Sequence, residues 1–134
     1  LEGEGKELTL ADLERIHRAK TGALIAASVR IGATAAGASG ATAEALDRYG
    51  ESVGLAFQIA DDVLDATATS EQLGKTAGRD AALGKVTYPR VLGVDGAIAR
   101  ASELADEACR ALESVSLLTP ELAHLARFSV SRRS

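Results

Sequence analysis

An all-α fold is predicted for this 134-residue chain on three grounds. Alanine fills 27 positions and proline only two, and alanine is the strongest helix former. Apolar residues recur at steps of three and four along several long segments, the period of one helical face. No segment alternates apolar and polar residues as a half-buried strand would. The aromatic fraction is 3%, with no Trp and no Met, so the core must be aliphatic and small and the helices closely packed. The length suits one domain with a real core.

Each element has its own signal. Thr9-Leu10-Ala11-Asp12 reads as a helix start: the Thr9 hydroxyl can accept from a free backbone amide, and Asp12 sits near the positive helix end. Leu13, Ile16, Leu24, Ile25 and Val29 follow at helical spacing, predicting a helix to about Ala38. Gly22 lies inside it at a cost of about 1 kcal/mol against alanine, tolerable where a ligand or another helix comes close. Ser39-Gly40-Ala41-Thr42 is a break. A second helix is expected from about Thr42 to Asp65, with Leu46, Tyr49, Val53, Phe57, Ala60 and Leu64 as its apolar stripe. Ala66 to Lys85 is rich in Ala, Thr and Gly without a clean period and reads as a partly ordered loop, a kind of segment that is often functional. Thr87-Tyr88-Pro89 restarts helix with Pro in the first turn, and that short helix ends near Gly93. Asp95 then opens a helix of about twenty residues, with Ile98, Leu104, Ala105, Ala108 and Leu112 inward. Thr119-Pro120-Glu121 starts the last helix, which carries Leu122, Leu125 and Phe128.

Composition excludes several functions. Net charge is −4 with both signs interspersed, so no basic stripe suggests nucleic acid. Cys109 is the single cysteine, which rules out an intrachain disulfide and fits a reducing compartment. No apolar run approaches the ~18 residues of a membrane span. The charged, Gly-rich opening from Leu1 to Lys6 is unlike a signal peptide, and the absence of an initial Met fits a truncated or processed start.

The most informative stretch is Gln58-Ile59-Ala60-Asp61-Asp62-Val63-Leu64-Asp65. On a helix Gln58, Asp61, Asp62 and Asp65 are three or four residues apart and share a face. Three carboxylates in one turn repel one another, by a few tenths of a kcal/mol per pair. At the end of the expected helix the dipole would add to that cost. Such a cluster invites a hard cation, Mg²⁺ or Ca²⁺. The acids are not at alternate positions and lack the sixth-position Gly of an EF-hand. One helical face cannot close a cage around an ion, so open coordination shared with a phosphorylated ligand fits better. A solvated acidic face is the plain alternative.

Lys75 and Lys85 follow the acids in the Gly-rich segment, and Lys20-Thr21-Gly22 lies along the first helix. A cation beside a hydroxyl suits phosphate oxygens, although each lysine by itself reads as a solvated side chain. His17 reads as structural, His124 has no assigned role, and Cys109 fills core space.

Taken together these residues resemble the trans-prenyl diphosphate synthases, the family of farnesyl and geranylgeranyl diphosphate synthases. The likeness begins at Leu13-Glu14-Arg15-Ile16-His17-Arg18-Ala19-Lys20-Thr21-Gly22 and continues through Gly54-Leu55-Ala56-Phe57-Gln58-Ile59-Ala60-Asp61-Asp62-Val63-Leu64-Asp65. It then runs through Leu73-Gly74-Lys75-Thr76-Ala77-Gly78-Arg79-Asp80 and Gly84-Lys85-Val86-Thr87-Tyr88-Pro89. The resemblance implies the C-terminal half of an isoprenoid-synthase helical bundle across residues 1–134. It also implies Mg²⁺-dependent head-to-tail condensation of an allylic diphosphate with isopentenyl diphosphate. Under it, Asp61, Asp62 and Asp65 are the second aspartate-rich motif, holding Mg²⁺ directly or through water. Lys20, Lys75 and Lys85 bind the allylic diphosphate, and the oxygens of Thr21 and Gln58 stabilise the allylic cation. The family implies a cytoplasmic homodimer.

The family's first aspartate-rich motif and the basic residues that grip isopentenyl diphosphate are not in this sequence. The expectation is therefore a chain lacking the N-terminal half, inactive alone, whose product length cannot be read here. Two other readings compete: a class I terpene cyclase, which usually carries an Asn/Asp-Ser/Thr-Glu second metal motif instead, and a non-catalytic helical module.

Overall fold

The computed structural model describes residues 9–12, 21–72 and 87–131. Four helices occupy them: α1 (Ala23–Ala35), α2 (Gly40–Gln72), α3 (Tyr88–Glu113) and α4 (Pro120–Ser131). No strand occurs among the described residues, so the all-α expectation holds.

The chain's start signals work as the side chains dictate. Thr9 Oγ1 accepts from the Asp12 amide at 3.1 Å, and the Thr9 amide donates to Asp12 Oδ2 at 3.3 Å. That is a reciprocal cap on two amides with no helical partner. At the other end of the chain Thr119 Oγ1 accepts from the Leu122 amide at 3.1 Å, ahead of Pro120. Thr87 is extended, Pro89 lies in the first turn of α3, and Gly93 breaks that helix with φ 81° and ψ 163°. The short helix expected up to Gly93 and the long one beyond it are thus two arms of a kinked α3.

Three expectations are corrected. The first helix ends at Ala35 and not near Ala38, because Gly37 takes φ 78°. The amide of Gly37 donates to Thr34 O and that of Ala38 to Ala33 O, the paired bonds that close a helix on a left-handed glycine. Helix α2 does not stop at Asp65 but runs on to Gln72. Nothing from Ala66 to Gln72 is a Gly or Pro, and Thr67 Oγ1 bonds back to Val63 O and Leu64 O. The acids therefore lie inside the helix and escape the dipole penalty of its C-terminal end. Ile98 is 49% exposed, although the period places it inward.

The core explains the last point. Among the described helices α2 packs against each of the other three, α3 also packs against α4, and α1 meets only α2. Small residues do the inward packing: Ala26 and Ala33 on α1, Ala97 and Ala101 on α3, and Ala126 on α4 are buried. One cluster joins Leu55, Ala56, Ile59, Tyr88, Ala97, Ala101 and Leu104, with Leu10 against it. A second joins Tyr49, Val53, Ala105, Ala108, Cys109, Leu112 and Ala126. The Tyr49 hydroxyl donates to Leu122 O at 2.7 Å. Burial first, and then the nearby Cys109, push its pKa up to about 12, so it remains a donor at any ordinary pH. Exposed ion pairs Arg30–Asp47 and Arg127–Asp106, both 3.0 Å, add little.

Helix α1 crosses α2 at glycines. A Cβ on Gly54 would lie 2.9 Å from both Gly22 Cα and Gly22 O. A Cβ on Gly50 would lie 3.0 Å from Val29 Cβ and 3.2 Å from Ala26 Cα. Residue numbers rise on one helix as they fall on the other, so the pair is antiparallel. Gly22 tolerates a close approach, and what approaches it is the backbone of α2.

Two substitutions test this crossing. Gly54→Ala gains about 1 kcal/mol of helix propensity but meets backbone, an overpacking cost of about 1–3 kcal/mol, so its urea midpoint should fall. Gly32→Ala meets nothing within 4 Å and should raise the midpoint by about 0.5–1 kcal/mol equivalent. A Gly54→Ala protein as stable as Gly32→Ala would contradict the crossing.

Candidate active site

The acidic turn sits on α2 just beyond its most deeply buried stretch. Leu55, Ala56 and Ile59 are fully enclosed. Gln58 and Asp61 are half-buried and Asp65 is exposed. Asp61 and Asp65 are one turn apart and share a side of the helix.

Asp62 leaves the shared face. It stands seven residues, two turns, after Leu55, so it points over a buried side chain, and it is 8% exposed. Its Oδ2 accepts from the Tyr88 amide at 3.3 Å and its Oδ1 from Gln58 Nε2 at 3.4 Å. Burial raises its pKa above the ordinary 3.8, and the nearby Asp65 and Asp61 charges add to the rise. The Tyr88 amide and the Gln58 side chain oppose it without cancelling it.

The antiparallel crossing sets the other candidates. Thr21 and Gly22 form a wide π-type turn leading into α1, a feature frequent at functional sites. Gly22 touches Gly54, one turn before Gln58. Thr21 and Gln58, both expected to face the allylic cation, therefore flank the same close contact. Lys20, Lys75 and Lys85 lie outside the described residues. Among the described residues no three carboxylates, imidazoles or thiols converge on a closed metal cage. Asp61 and Asp65 offer hard oxygen donors on one open side. That donor set fits Mg²⁺, which takes one or two carboxylates and completes its shell with water and phosphate.

Sequence reasoning missed two participants. The Tyr88 amide is a backbone group and leaves no trace in residue type. Gly54 was passed over within an apolar stripe, although a second mid-helix glycine was a signal for the partner of Gly22. Of the other singled-out residues, Cys109 is buried in the core as expected. His124 is exposed and stacks on Phe128 with centroids 6.0 Å apart.

Comparison with known proteins gives the class. The family model described as polyprenyl synthetase matches residues 1–118. The farnesyl diphosphate synthase of Escherichia coli K12 is 48% identical over 136 aligned residues, covering 98% of this chain and 46% of that protein. The chloroplastic geranylgeranyl pyrophosphate synthase of Capsicum annuum is 46% identical over 79% of this chain and 29% of its own length. The crystal structure of a Helicobacter pylori geranyltransferase complexed with magnesium and isoprenyl diphosphate superposes with a TM-score of 0.70. It is 30% identical, over 96% of this chain and 42% of that one. The chain belongs to the polyprenyl synthetase family, and the helical bundle is the fold of these synthases. It spans somewhat less than half the length of the curated relatives it matches.

The raised pKa of Asp62 has a measurable sign. In the metal-free protein this acid holds its proton longer folded than unfolded. Its contribution to stability is fully present below the ordinary value of 3.8 and is lost as pH rises through the folded value. Asp62→Asn removes that loss. The stability of the variant relative to the parent should therefore grow as pH rises from about 3 to 7. A difference that stays flat with pH in urea melts would contradict the assignment.

Proposed function

We propose that this chain carries the diphosphate-ionising side of a trans-prenyl diphosphate synthase, acting on an allylic diphosphate and isopentenyl diphosphate. The observation that carries the reading is the acidic turn on α2, two helical turns beyond the glycine crossing that brings in Thr21. Family membership and the relatives' names support the same activity.

The chemistry needs two kinds of charge control. As the carbon–oxygen bond of the allylic diphosphate breaks, negative charge grows on pyrophosphate and positive charge on carbon. Asp61 and Asp65, with Asp62 beside them, would hold Mg²⁺, whose role when bound is to neutralise the departing pyrophosphate. Lys20, Lys75 and Lys85 are proposed to grip the same group as cationic donors. The oxygens of Thr21 and Gln58 are proposed to face the carbon that becomes cationic, with no reorganisation needed at the moment of reaction. The terminal alkene carbon of isopentenyl diphosphate then bonds to that carbon. The positive charge passes to the internal alkene carbon, and the CH₂ beside that carbon loses a proton, which the released pyrophosphate can take, as the new double bond forms. Holding the alkene against the cation supplies much of the remaining rate.

A homodimer working in the cytoplasm, as the family resemblance implies, is part of the proposal. Among the described residues no helix is long and apolar enough to cross a membrane. Farnesyl and geranylgeranyl relatives match almost equally well, so the proposal stops at the reaction class and names no product length.

The test is condensation of labelled isopentenyl diphosphate with geranyl diphosphate, by the chain alone and mixed with the N-terminal half of the Escherichia coli relative. Elongated product is expected in the mixture, requiring Mg²⁺ and abolished by EDTA. In an active preparation Asp61→Ala should lower the rate by about 10²-fold or more, as loss of transition-state electrostatics does. A mixture that binds Mg²⁺ and pyrophosphate no better than buffer, and forms no product, would favour the non-catalytic helical module.

A further inference from the structure

Helix α1 is apolar all round. Its 13 residues include a single charge, Arg30, and Arg30 pairs at 3.0 Å with Asp47 of α2. The side toward α2 is filled by Ala26 and Ala33, both buried. Leu24 and Ile31 each stand two residues before one of these, about 200° round the helix, and are 69% and 70% exposed. Leu24, Ser28, Ile31 and Ala35 are all exposed and recur at steps of four, three and four. That spacing is the seam along which one helix packs on another. A helix that faces water carries polar residues on its outer side, and this one does not.

The seam is suited to a dry contact. The Ser28 hydroxyl donates to Leu24 O at 3.0 Å, so its one donor is satisfied within α1. Gly32 lies beside Ile31 at the edge of the seam, where an added Cβ would meet nothing within 4 Å. No contact in the described residues requires a glycine there, and it weakens the helix. At the crossing of α1 and α2, glycines mark the place where a second backbone comes close.

The occupant must be helical and uncharged along the two turns from Leu24 to Ile31. A second copy of this chain fits poorly. A stable interface buries about 800 Å² on each partner, or about 20–30 residues, and the seam has four. A helix of the same domain needs no such area, because it loses no translational freedom on packing. This chain covers 46% of the Escherichia coli relative, so more than half of that polypeptide lies outside the match.

We infer that the outer face of α1 is an interior face of the complete bundle: it seats an apolar helix from the part of a full-length synthase that this chain does not match. Helix α1 is then a middle layer between that helix and α2. Thr21 lies one turn before Leu24, so the same seating walls the Thr21 end of the candidate site. This reading needs family membership and not the proposed activity.

The test co-expresses this chain with the N-terminal half of the Escherichia coli relative. Ile31→Cys is labelled with a maleimide, alone and in the co-purified pair, and buried Cys109 reports any unfolding. In the chain alone the introduced thiol should react as an exposed cysteine does. In the pair it should react about tenfold or more slowly. Ile31→Glu should leave the chain's own urea midpoint unchanged. It should cut recovery of the pair by about tenfold or more, because a lone charge would be buried. Equal labelling with and without the partner half would overturn the inference, as would halves that do not co-purify. So would a parent chain that sediments as a dimer and turns monomeric on Ile31→Glu, since a second copy would then be the occupant. Should Ile31→Glu fold poorly, the labelling of Ile31→Cys decides alone. A pair that protects position 31 but forms no elongated product would sink the proposed function and leave the seam standing.

Discussion

The first amide of α3 has no helical acceptor, and a carboxylate from the middle of α2 supplies one. Much of the molecule's arrangement is tied to that bond. It joins the long central helix to the helix that returns after residues 73–86. It makes Tyr88 a fixed point in the cluster around Leu55 and Ile59. It also divides the acidic turn, so that one acid serves the fold while two face outward. A buried carboxylate is costly unless well bonded, and the raised pKa of Asp62 records that cost. Such a group in such a place is a reasonable marker of a site that needs a particular backbone position more than it needs stability.

The second constraint is the contact of Gly22 with Gly54. Helices whose facing residues are Ala and Gly can approach backbone to backbone, and the alanine-rich composition makes that approach available all round α2. The crossing brings the Thr21 turn beside the stretch of α2 that leads into the acids. Two groups far apart in sequence are thereby held near one another by packing that has no chemistry of its own. The exposed Leu24 and Ile31 lie on the other side of α1, which meets no described helix except α2.

How much of this was legible depended on whether a feature is local. Thr9, Thr119 with Pro120, and Pro89 announced helix starts because capping is settled within four residues. Gly93 announced a break for the same reason. The end of α2 was misjudged because a thinning apolar pattern was read as a stop, whereas Ala66 and Thr67 have no reason to leave a helix already formed. Ile98 reads as inward because a period gives direction around a helix but not the identity of the neighbour standing there. Asp62 is the same lesson in the site: its spacing put it with Asp61 and Asp65, and only the position of Tyr88 shows that it turns the other way. The family resemblance rested on four ordered motifs and is matched by the relatives. The lysines it singled out, Lys20, Lys75 and Lys85, lie outside the described residues.

The central claim is that a divalent ion and pyrophosphate meet on the outer side of α2, between its acids and those lysines. Paramagnetic relaxation by Mn²⁺–pyrophosphate, read across the backbone amides, tests it most directly. The account predicts the strongest broadening at Asp61 and Asp65, then at Gln58, Thr21, Lys20, Lys75 and Lys85, with α4 untouched. Broadening centred on α4, or spread evenly over the acidic surface, would contradict it.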